Sequence, residues 1–273
     1  MINLGESIKK YRINGYDEQY AIAKVSQDMI LRAIGKSKYK NNITIKGGLV
    51  MFNLTKNIRR ATIDIDIDLV NLSLGNPNIM KIFKEFSNND IRFMINEDDI
   101  EELRHEDYKG KTVDIEIVDN FNKKIITKVD IGVHGDIDIL LDELIFDVGS
   151  FKNRLSLLAN SKEQIFVEKI IPLLKHGSGT TRYKDLFDVY WLIKKGKLDK
   201  ERITFIIEKK IYNSGINNIY NYEALIHYLK RILTSKRLKK SLDNNIENWL
   251  DVDTDELLIT IQKYLEQLVP ISV

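Results

Sequence analysis

The chain has 273 residues, of which 43% are hydrophobic and 30% charged, as expected for a folded globular protein rather than a disordered one. The formal net charge of +2 is small, so a nucleic-acid partner has to be argued from local clusters of charge. The absence of cysteine excludes a disulfide framework, a thiolate metal site and a cysteine nucleophile. No signal-peptide pattern and no apolar run of about 18 residues occurs, and we expect a cytoplasmic protein without a membrane span.

The first long element predicted along the chain is a helix from about Glu18 to Ile34. Its apolar residues recur at the spacing of an α-helix, which predicts one buried stripe. The residues of that stripe are Ala21, Ile22, Val25, Met29, Ile30 and Ala33. We expect this helix to pack under a sheet.

A glycine pair, Gly47 and Gly48, precedes a short apolar run that indicates a helix. Such a turn lets backbone N–H groups approach a phosphate closely, and the N-terminus of a helix favours anions. Lys46 and Arg60 place positive charge on either side of this unit. A glycine pair by itself is a weak signal, because many turns need glycine.

Residues 63–69 alternate strictly between aliphatic residues and aspartate, which is the pattern of a half-buried β-strand. Asp64, Asp66 and Asp68 therefore share one face, on which successive residues lie about 6.5–7 Å apart. Mg²⁺ takes carboxylate oxygens and keeps phosphate oxygens as further ligands. The solvated face of an edge strand would show the same alternation, but the combination of glycine pair, helix and Asp-x-Asp strand favours a metal and phosphate site.

Residues 78–95 carry a helical pattern that ends near Asn88–Asn89, and an acidic run follows over residues 97–107. A run of charge is usually a solvated surface, and we interpret this one in that way. His105 within the run is expected to be an ordinary surface histidine.

Two further segments alternate, Thr112–Val118 and Lys124–Val133, and the residues between them favour a turn. This pattern predicts a β-hairpin. On its second strand, Lys128, Asp130 and Gly132 share one face, while apolar residues occupy the other. Asp130 could be an ordinary exposed carboxylate of such a strand.

From about residue 155 the strand-like alternation gives way to helical periodicity, which continues to the end of the chain. We therefore predict two domains, residues 1–155 and residues 156–273. Ser161 is expected to cap the first helix of the second domain, and Pro172 to kink that helix or end it early.

A later helix begins near Arg182 and carries Lys184, Asp185 and Asp188 at spacings of three and four residues, which place them along one edge. The ordinary interpretation is ion pairing within the helix, which stabilises it by about 0.2–0.5 kcal/mol for each pair.

A basic cluster follows close to Tyr228. Its members are Lys230, Arg231, Lys236, Arg237, Lys239 and Lys240. Such a cluster can follow an RNA backbone, and a solvated basic helix is an equally good interpretation.

Three separated motifs resemble those of the AbiEii/AbiGii nucleotidyltransferase toxins, which belong to the DNA polymerase β-like nucleotidyltransferase superfamily and to type IV toxin–antitoxin and abortive-infection systems. The first motif is Lys46-Gly-Gly48 followed by Arg60-x-Thr62-x-Asp64-Ile-Asp66. The second is the strand Lys128-Val-Asp-Ile-Gly132, and the third is Glu168-Lys169 followed by Arg182-x-Lys184-Asp185-x-x-Asp188. The resemblance extends from about residue 18 to residue 200.

The resemblance implies an α+β fold, with an N-terminal nucleotidyltransferase-like domain built on a mixed sheet with flanking helices and a C-terminal helical bundle. It also implies Mg²⁺-dependent nucleotidyl transfer from an NTP, with Asp64, Asp66 and Asp130 as the metal ligands. Asp114 and Glu116 on the partner strand are the alternatives for the third carboxylate, because the sequence alone does not set the register of the strands.

The remaining site residues are also carried over from the resemblance. Lys46, Gly47, Gly48, Arg60, Arg182 and Lys184 are expected to bind the nucleotide. Lys169 is expected to supply fixed positive charge, and Asp185 or Asp188 to orient that lysine or the sugar. The chain departs from the family pattern at Leu49, where relatives usually carry serine or threonine, so no hydroxyl is available there to contact the γ-phosphate.

The expected acceptor is RNA, foremost the 3′ end of a tRNA, whose modification would block translation and growth. The toxin class also implies a cognate antitoxin encoded beside the toxin. The competing hypothesis is an inactive nucleotidyltransferase-like module that binds a protein or RNA partner. A metal-dependent nuclease also uses clustered carboxylates, but the glycine turn and Lys169 suit a triphosphate better than a scissile phosphodiester.

Overall fold

The computed structural model describes residues 1–103, 110–134, 141–243 and 245–268. His105 and part of the acidic run lie outside the described residues. The chain divides into two compact units, Met1–Asn160 and Ser161–Val273. The change from strand to helix thus falls at residue 160, a few residues beyond the predicted position.

The first unit is a mixed sheet with flanking helices, so the predicted α+β class is confirmed. Its helices are α1 Leu4–Ile13, α2 Glu18–Lys36, α3 Gly47–Thr55 and α4 Asn76–Phe86. Its strands are β1 Ile43–Ile45, β2 Ile65–Leu69, β3 Ile91–Met94, β4 Ile100–Glu102, β5 Lys111–Asp119, β6 Lys124–Val133, β7 Leu141–Val148 and β8 Asn153–Asn160. The strand order is β3-β5-β6-β2-β1-β8-β7. β4 pairs antiparallel with the first three residues of β5, Lys111 to Val113.

The acidic strand β2 lies at the centre of the sheet. β2 is parallel to β6 on one side and antiparallel to β1 on the other, so it is a central strand rather than an edge. The aliphatic residues of β2, Ile65, Ile67 and Leu69, are buried, as the alternation predicted. Because side chains of a strand alternate between the two faces, Asp66 and Asp68 point to the opposite side of the sheet.

The helix α2 packs against β6, β7 and β8, as the apolar stripe predicted, but it is buried more widely than one stripe. α1 packs against it as well, and polar residues of α2 are thereby enclosed. These buried polar residues are Lys24, Ser26, Gln27 and Asp28. Amphipathic periodicity does not reveal a helix that is covered on several sides.

The region after α4 differs from the predicted helix over residues 78–95. α4 ends at Phe86, and Ile91–Met94 form β3, which pairs antiparallel with β5. Ile91 and Phe93 are buried while Arg92 and Met94 are exposed, so the segment alternates as a strand does. The apolar residues at the end of the helical pattern therefore belong to a strand.

All the regular elements described in the second unit are helices. They are α5 Lys162–His176, α6 Tyr183–Lys195, α7 Lys200–Ile207, α8 Tyr222–Leu233, α9 Lys236–Asp243 and α10 Thr254–Leu265. Ser161 caps α5 by accepting a hydrogen bond from the Gln164 N–H at 3.2 Å, as predicted. Pro172 lies inside α5, which continues to His176 and therefore does not end early. In the described part of the chain, none of the helices combines the length and the apolar character needed to cross a bilayer.

Candidate functional site

The turn at Gly47 and Gly48 is packed directly against the acidic strand. Gly47 has φ +63°, and a Cβ atom there would overlap Oδ2 of Asp66. A Cβ atom on Gly48 would lie 2.9 Å from Oγ1 of Thr62. The Lys46 N–H donates to the Asp66 carbonyl at 3.0 Å, which joins the turn to β2. Both glycines are therefore needed for close packing as well as for the conformation of the turn.

The register of the sheet places Asp130 directly beside Asp66, because these residues are paired on the parallel strands β2 and β6. Both side chains are partly exposed. Thr112, the partner of Asp130 on β5, donates its hydroxyl to Asp130 Oδ1 at 2.5 Å. Two carboxylates thus lie side by side on one face at the centre of the sheet.

The alternatives for the third carboxylate lie farther along the hairpin. Asp114 is opposite Lys128, with 3.9 Å between their charged atoms. Glu116 is opposite Ile126 and forms an ion pair with Lys124. Of these candidates, Asp130 alone is paired with Asp66 in the register of the strands.

Asp64 is exposed and precedes β2, which begins one residue later than Asp64. Within the described ranges, no group of three or more histidine, aspartate or glutamate residues is arranged to hold a metal ion. Asp66 and Asp130 fit a magnesium site of another kind, because Mg²⁺ is commonly held by one or two carboxylates together with substrate phosphates.

Asp68 continues the acidic face but is buried in a small charge cluster. Its Oδ1 lies 2.7 Å from Lys46 Nζ, and its Oδ2 lies 3.9 Å from Nδ1 of His134. Burial raises the pKa of Asp68, but His134 and Lys46 outweigh burial and hold that pKa below its ordinary value. This cluster explains an aspartate for which the sequence pattern gave no role.

The same cluster changes the expectation for Lys46. Its side chain is only 12% exposed and its ammonium group neutralises Asp68, so it offers little charge to a nucleotide. Arg60 is 3% exposed and engages other protein groups. Leu49 is buried in the core of the unit, so a hydroxyl at this position of α3 would face the interior.

The second unit contains a buried ionic cluster made from the third motif. Lys169 Nζ lies 2.6 Å from Asp185 Oδ1 and 2.7 Å from Asp188 Oδ2. Arg182 Nε lies 2.8 Å from Asp185 Oδ2, and its side chain is 59% exposed. Lys169, Asp185 and Asp188 are all buried. The two pairs of Lys169 therefore join α5 to α6, while the pair of Arg182 with Asp185 lies within the first turn of α6.

Neighbouring cations set the protonation state of Asp185. Burial raises the pKa of Asp185, but the charges and hydrogen bonds of Lys169 and Arg182 outweigh it and hold that pKa below its ordinary value. The carboxylate is therefore ionised at neutral pH and fixes both cations. Lys184, on the same helix, is partly exposed.

The basic cluster of the second unit is divided between the end of α8 and α9. Lys239 lies 2.6 Å from Asp255, Lys230 lies 3.8 Å from Glu266, and the guanidinium of Arg231 stacks over Tyr228 at 5.0 Å. Part of its charge is thus balanced by acidic neighbours on or beside α10.

Sequence reasoning did not find Thr112, His134 or Gln27 as neighbours of the site. Thr112 is identified only by the register between β5 and β6. His134 is placed by its backbone N–H, which donates to the Leu69 carbonyl at 2.9 Å, and no sequence pattern marks that contact. Gln27 lies in α2, 35 residues from the Thr62 carbonyl that it contacts.

Compared with models of known protein families, residues 29–262 match the family described as "Nucleotidyl transferase AbiEii toxin, Type IV TA system". The chain belongs to this family. The match covers most of both units and includes the glycine turn, the acidic strand and the Lys169 cluster. No curated protein gave a significant match. The resemblance inferred from the three motifs is confirmed, and the AbiEii family is one of nucleotidyl transferase toxins of type IV toxin–antitoxin systems.

Proposed function

We propose that this AbiEii-family chain transfers a nucleoside monophosphate from an NTP to RNA, with the 3′ end of a tRNA as the acceptor, in a Mg²⁺-dependent reaction. The observation that carries the proposal is the pairing of Asp66 with Asp130, beside a glycine turn that opens α3. Nucleotidyl transfer depends mainly on positioning and on neutralising phosphate charge, and Mg²⁺ held by these two carboxylates beside the turn would supply both.

Asp66 and Asp130 are the proposed ligands of Mg²⁺, and Asp64 is the proposed third ligand. Bound there, the ion would supply positive charge for the triphosphate and lower the pKa of the attacking hydroxyl. The Thr112 hydroxyl holds Asp130 in place through its hydrogen bond. This contact favours one orientation of the carboxylate before a nucleotide binds.

The backbone N–H groups of Gly47 and Gly48 are the proposed phosphate contacts, because they open the nine-residue helix α3. Arg182 and Lys184 are proposed to contact the nucleotide as well, and the exposed guanidinium of Arg182 supports this role. Lys169 contributes its charge through Asp185, which holds Arg182. Lys46 and Arg60 are proposed to act mainly by supporting the turn, because both are largely buried.

The toxin class of the family supports a wider proposal about the cell. Modification of a tRNA 3′ end would prevent aminoacylation and stop translation, and a cognate antitoxin encoded beside the toxin would prevent that damage. We place the reaction in the cytoplasm, where NTPs and tRNA are both present.

An inactive module that binds a protein or RNA partner is the second candidate. It is favoured by one observation, namely that the described residues contain no group of three metal-binding side chains. This hypothesis expects neither Mg²⁺-dependent NTP binding nor label transfer, whereas the transferase hypothesis expects both.

The test is incubation of the purified protein with total tRNA, Mg²⁺ and each α-³²P-labelled NTP in turn. The wild type is compared with Asp66→Asn and with the matched control Asp255→Asn, which removes an exposed carboxylate on α10. Label in RNA with the wild type and the control, but not with Asp66→Asn, is the expected result and would identify the nucleotide. NTP binding without label in RNA would refute tRNA as the acceptor, and absence of both would favour the inactive module.

A further inference from the structure

We propose that Gln27 is a positioning residue for nucleotidyl transfer, because it holds the backbone that leads into the acidic strand against the turn at Gly47 and Gly48. This inference rests on the proposed function, since the groups that Gln27 positions are the proposed ligands of Mg²⁺ and phosphate. Gln27 belongs to α2 and lies in none of the three motifs that indicated the family.

Both functional groups of the Gln27 amide are used inside the protein. Its Nε2 donates to the Thr62 carbonyl at 2.8 Å, and its Oε1 accepts from Lys24 Nζ at 3.1 Å. Gln27 is fully buried. An amide buried in this way is costly unless its hydrogen bonds are made, so the contact with Thr62 is a fixed part of the fold.

Lys24 extends this contact to the helix that follows the glycine turn. Its side chain is 5% exposed, and Nζ lies 4.2 Å from the centre of the Phe52 ring on α3. A lysine over an aromatic face is attracted by the ring electrons, most strongly where water is excluded. The pair formed by Lys24 and Gln27 therefore holds the approach to β2 and the side of α3 together.

The protonation of Lys24 agrees with this enclosed position. Burial lowers its pKa to about 8, although the charge of Asp28 acts in the opposite direction and Lys56 adds to the lowering. The amine retains hydrogen-bond donors in either protonation state, so its contact with Gln27 does not depend on the charge.

From Thr62 the contacts lead directly to the proposed site. Thr62 packs against Gly48 so closely that a Cβ atom on that glycine would lie 2.9 to 3.2 Å from three Thr62 atoms. Asp64 and Asp66 follow Thr62 by two and four residues along the chain. A shift of the Thr62 carbonyl would thus move both the phosphate-binding turn and the start of the acidic strand.

The experiment compares Gln27→Met and Gln27→Glu with the wild type in the label-transfer assay, under saturating NTP and RNA. Methionine keeps the length of the side chain but removes the donor, and glutamate keeps the acceptor for Lys24 but removes the Nε2 donor. We expect kcat to fall about tenfold to a hundredfold in both variants, since a displacement near 1 Å can cost that much. The Kd for NTP, measured by calorimetry, should change by a smaller factor than kcat, because binding tolerates a small displacement that the in-line geometry of transfer does not.

The matched control is Ile117→Val, which trims a buried residue of β5 on the face opposite the carboxylates. Melting temperatures are measured for all variants, and activity is assayed well below the lowest of them. A fall in kcat of the Gln27 variants that exceeds the fall in the control, at similar melting temperature, supports the positioning role. If Gln27→Glu fails to fold because its carboxylate would face the Thr62 carbonyl, Gln27→Met still provides the comparison, because it buries no charge.

The outcomes separate this inference from the proposed function. Wild-type protein without transfer from any NTP would overturn both. An active wild type together with Gln27 variants that keep kcat within about twofold would overturn the positioning role alone. A loss that merely parallels the Ile117→Val control would overturn it too, because the effect would then be one of general stability.

Discussion

Asp66 and Asp130 of the first unit lie on neighbouring strands and are partly exposed, whereas Asp185 and Asp188 of the second unit are buried around Lys169. Because Asp66 and Asp130 are partly exposed, a ligand can reach both carboxylates without any rearrangement of the core. The second pair already shares the ammonium group of Lys169, and Asp185 also pairs with Arg182. Carboxylates of the same family motifs therefore divide into a group suited to binding and a group suited to holding structure.

Asp68 shows that the division follows environment rather than position in sequence. It lies only two residues from Asp66 on the same face of β2, yet it is buried with Lys46 and so resembles the aspartates of the second unit. Exposure and the presence of a fixed cation thus distinguish the two groups better than the Asp-x-Asp spacing does.

The largest effect is expected from Asp130→Asn, which tests the binding group. Removing this carboxylate should lower transfer activity by about 10³-fold, because a proposed ligand of Mg²⁺ is lost and with it the cation that would neutralise the charge of the transition state. The stability should change little, since the side chain is partly exposed. Activity is measured by label transfer and stability by thermal unfolding.

Asp114→Asn is the matched control, because Asp114 is an exposed carboxylate on the neighbouring strand, opposite Lys128. Its activity should remain within about threefold of the wild type, as for ordinary surface changes. Equal losses in the two variants would contradict the assignment of Asp130 by register.

The next largest effect is expected on stability, from the buried cluster around Lys169. Lys169→Met leaves two buried aspartates without their shared cation, and we expect the free energy of unfolding to fall by about 3–5 kcal/mol. Arg182→Gln removes an exposed partner of Asp185 and should cost less than about 1 kcal/mol. Urea unfolding of both variants measures the difference.

If Lys169→Met were as stable as Arg182→Gln, the cluster would not hold α5 and α6 together, and the contrast between the two groups would fail. A loss of activity in Arg182→Gln at nearly full stability would sharpen that contrast, because it would identify the exposed guanidinium as a ligand contact.

The smallest effect is expected on the pH dependence of stability. The pKa of Asp185 is lower in the folded state than its ordinary value of 3.8, so its ionisation stabilises the fold at neutral pH. That contribution is complete above the ordinary pKa and is lost as the pH falls from about 4 towards the lower pKa of the folded state. Asp185→Asn should therefore reduce the slope of stability against pH below about pH 4, as measured by urea unfolding at several pH values. An unchanged slope would show that other carboxylates govern acid unfolding.

Much of the fold was predictable because its elements have strong local patterns. Local sequence patterns predict the alternation of β2 and of the β5–β6 hairpin, the stripe of α2 and the cap at Ser161. β3 was missed because it has only four residues, which lie just beyond the end of the helical pattern, and only pairing with β5 reveals them as a strand. α9 was interpreted simply as a basic cluster, since its charge obscures the two buried leucines, Leu238 and Leu242.

The candidate site was predictable in residue type but not in environment. The motifs pointed to Asp66, Asp130 and Lys169, whose partners are set by sheet register and by helix packing. Sequence spacing carries no information on burial, so the buried ion pair between Lys46 and Asp68 was not predicted. Contacts over long sequence separation, such as that from Gln27 to Thr62, leave no local pattern at all.

The close approach of Gly47 to Asp66 also predicts how substitutions of this glycine would act. Every missense change of a glycine codon adds a side chain, and at Gly47 that side chain would occupy the space of the Asp66 carboxylate. A backbone with φ +63° adds a conformational penalty for any residue that replaces the glycine. Under the proposed function, substitutions at Gly47 are therefore expected to displace Asp66 and to lower both transfer activity and toxicity.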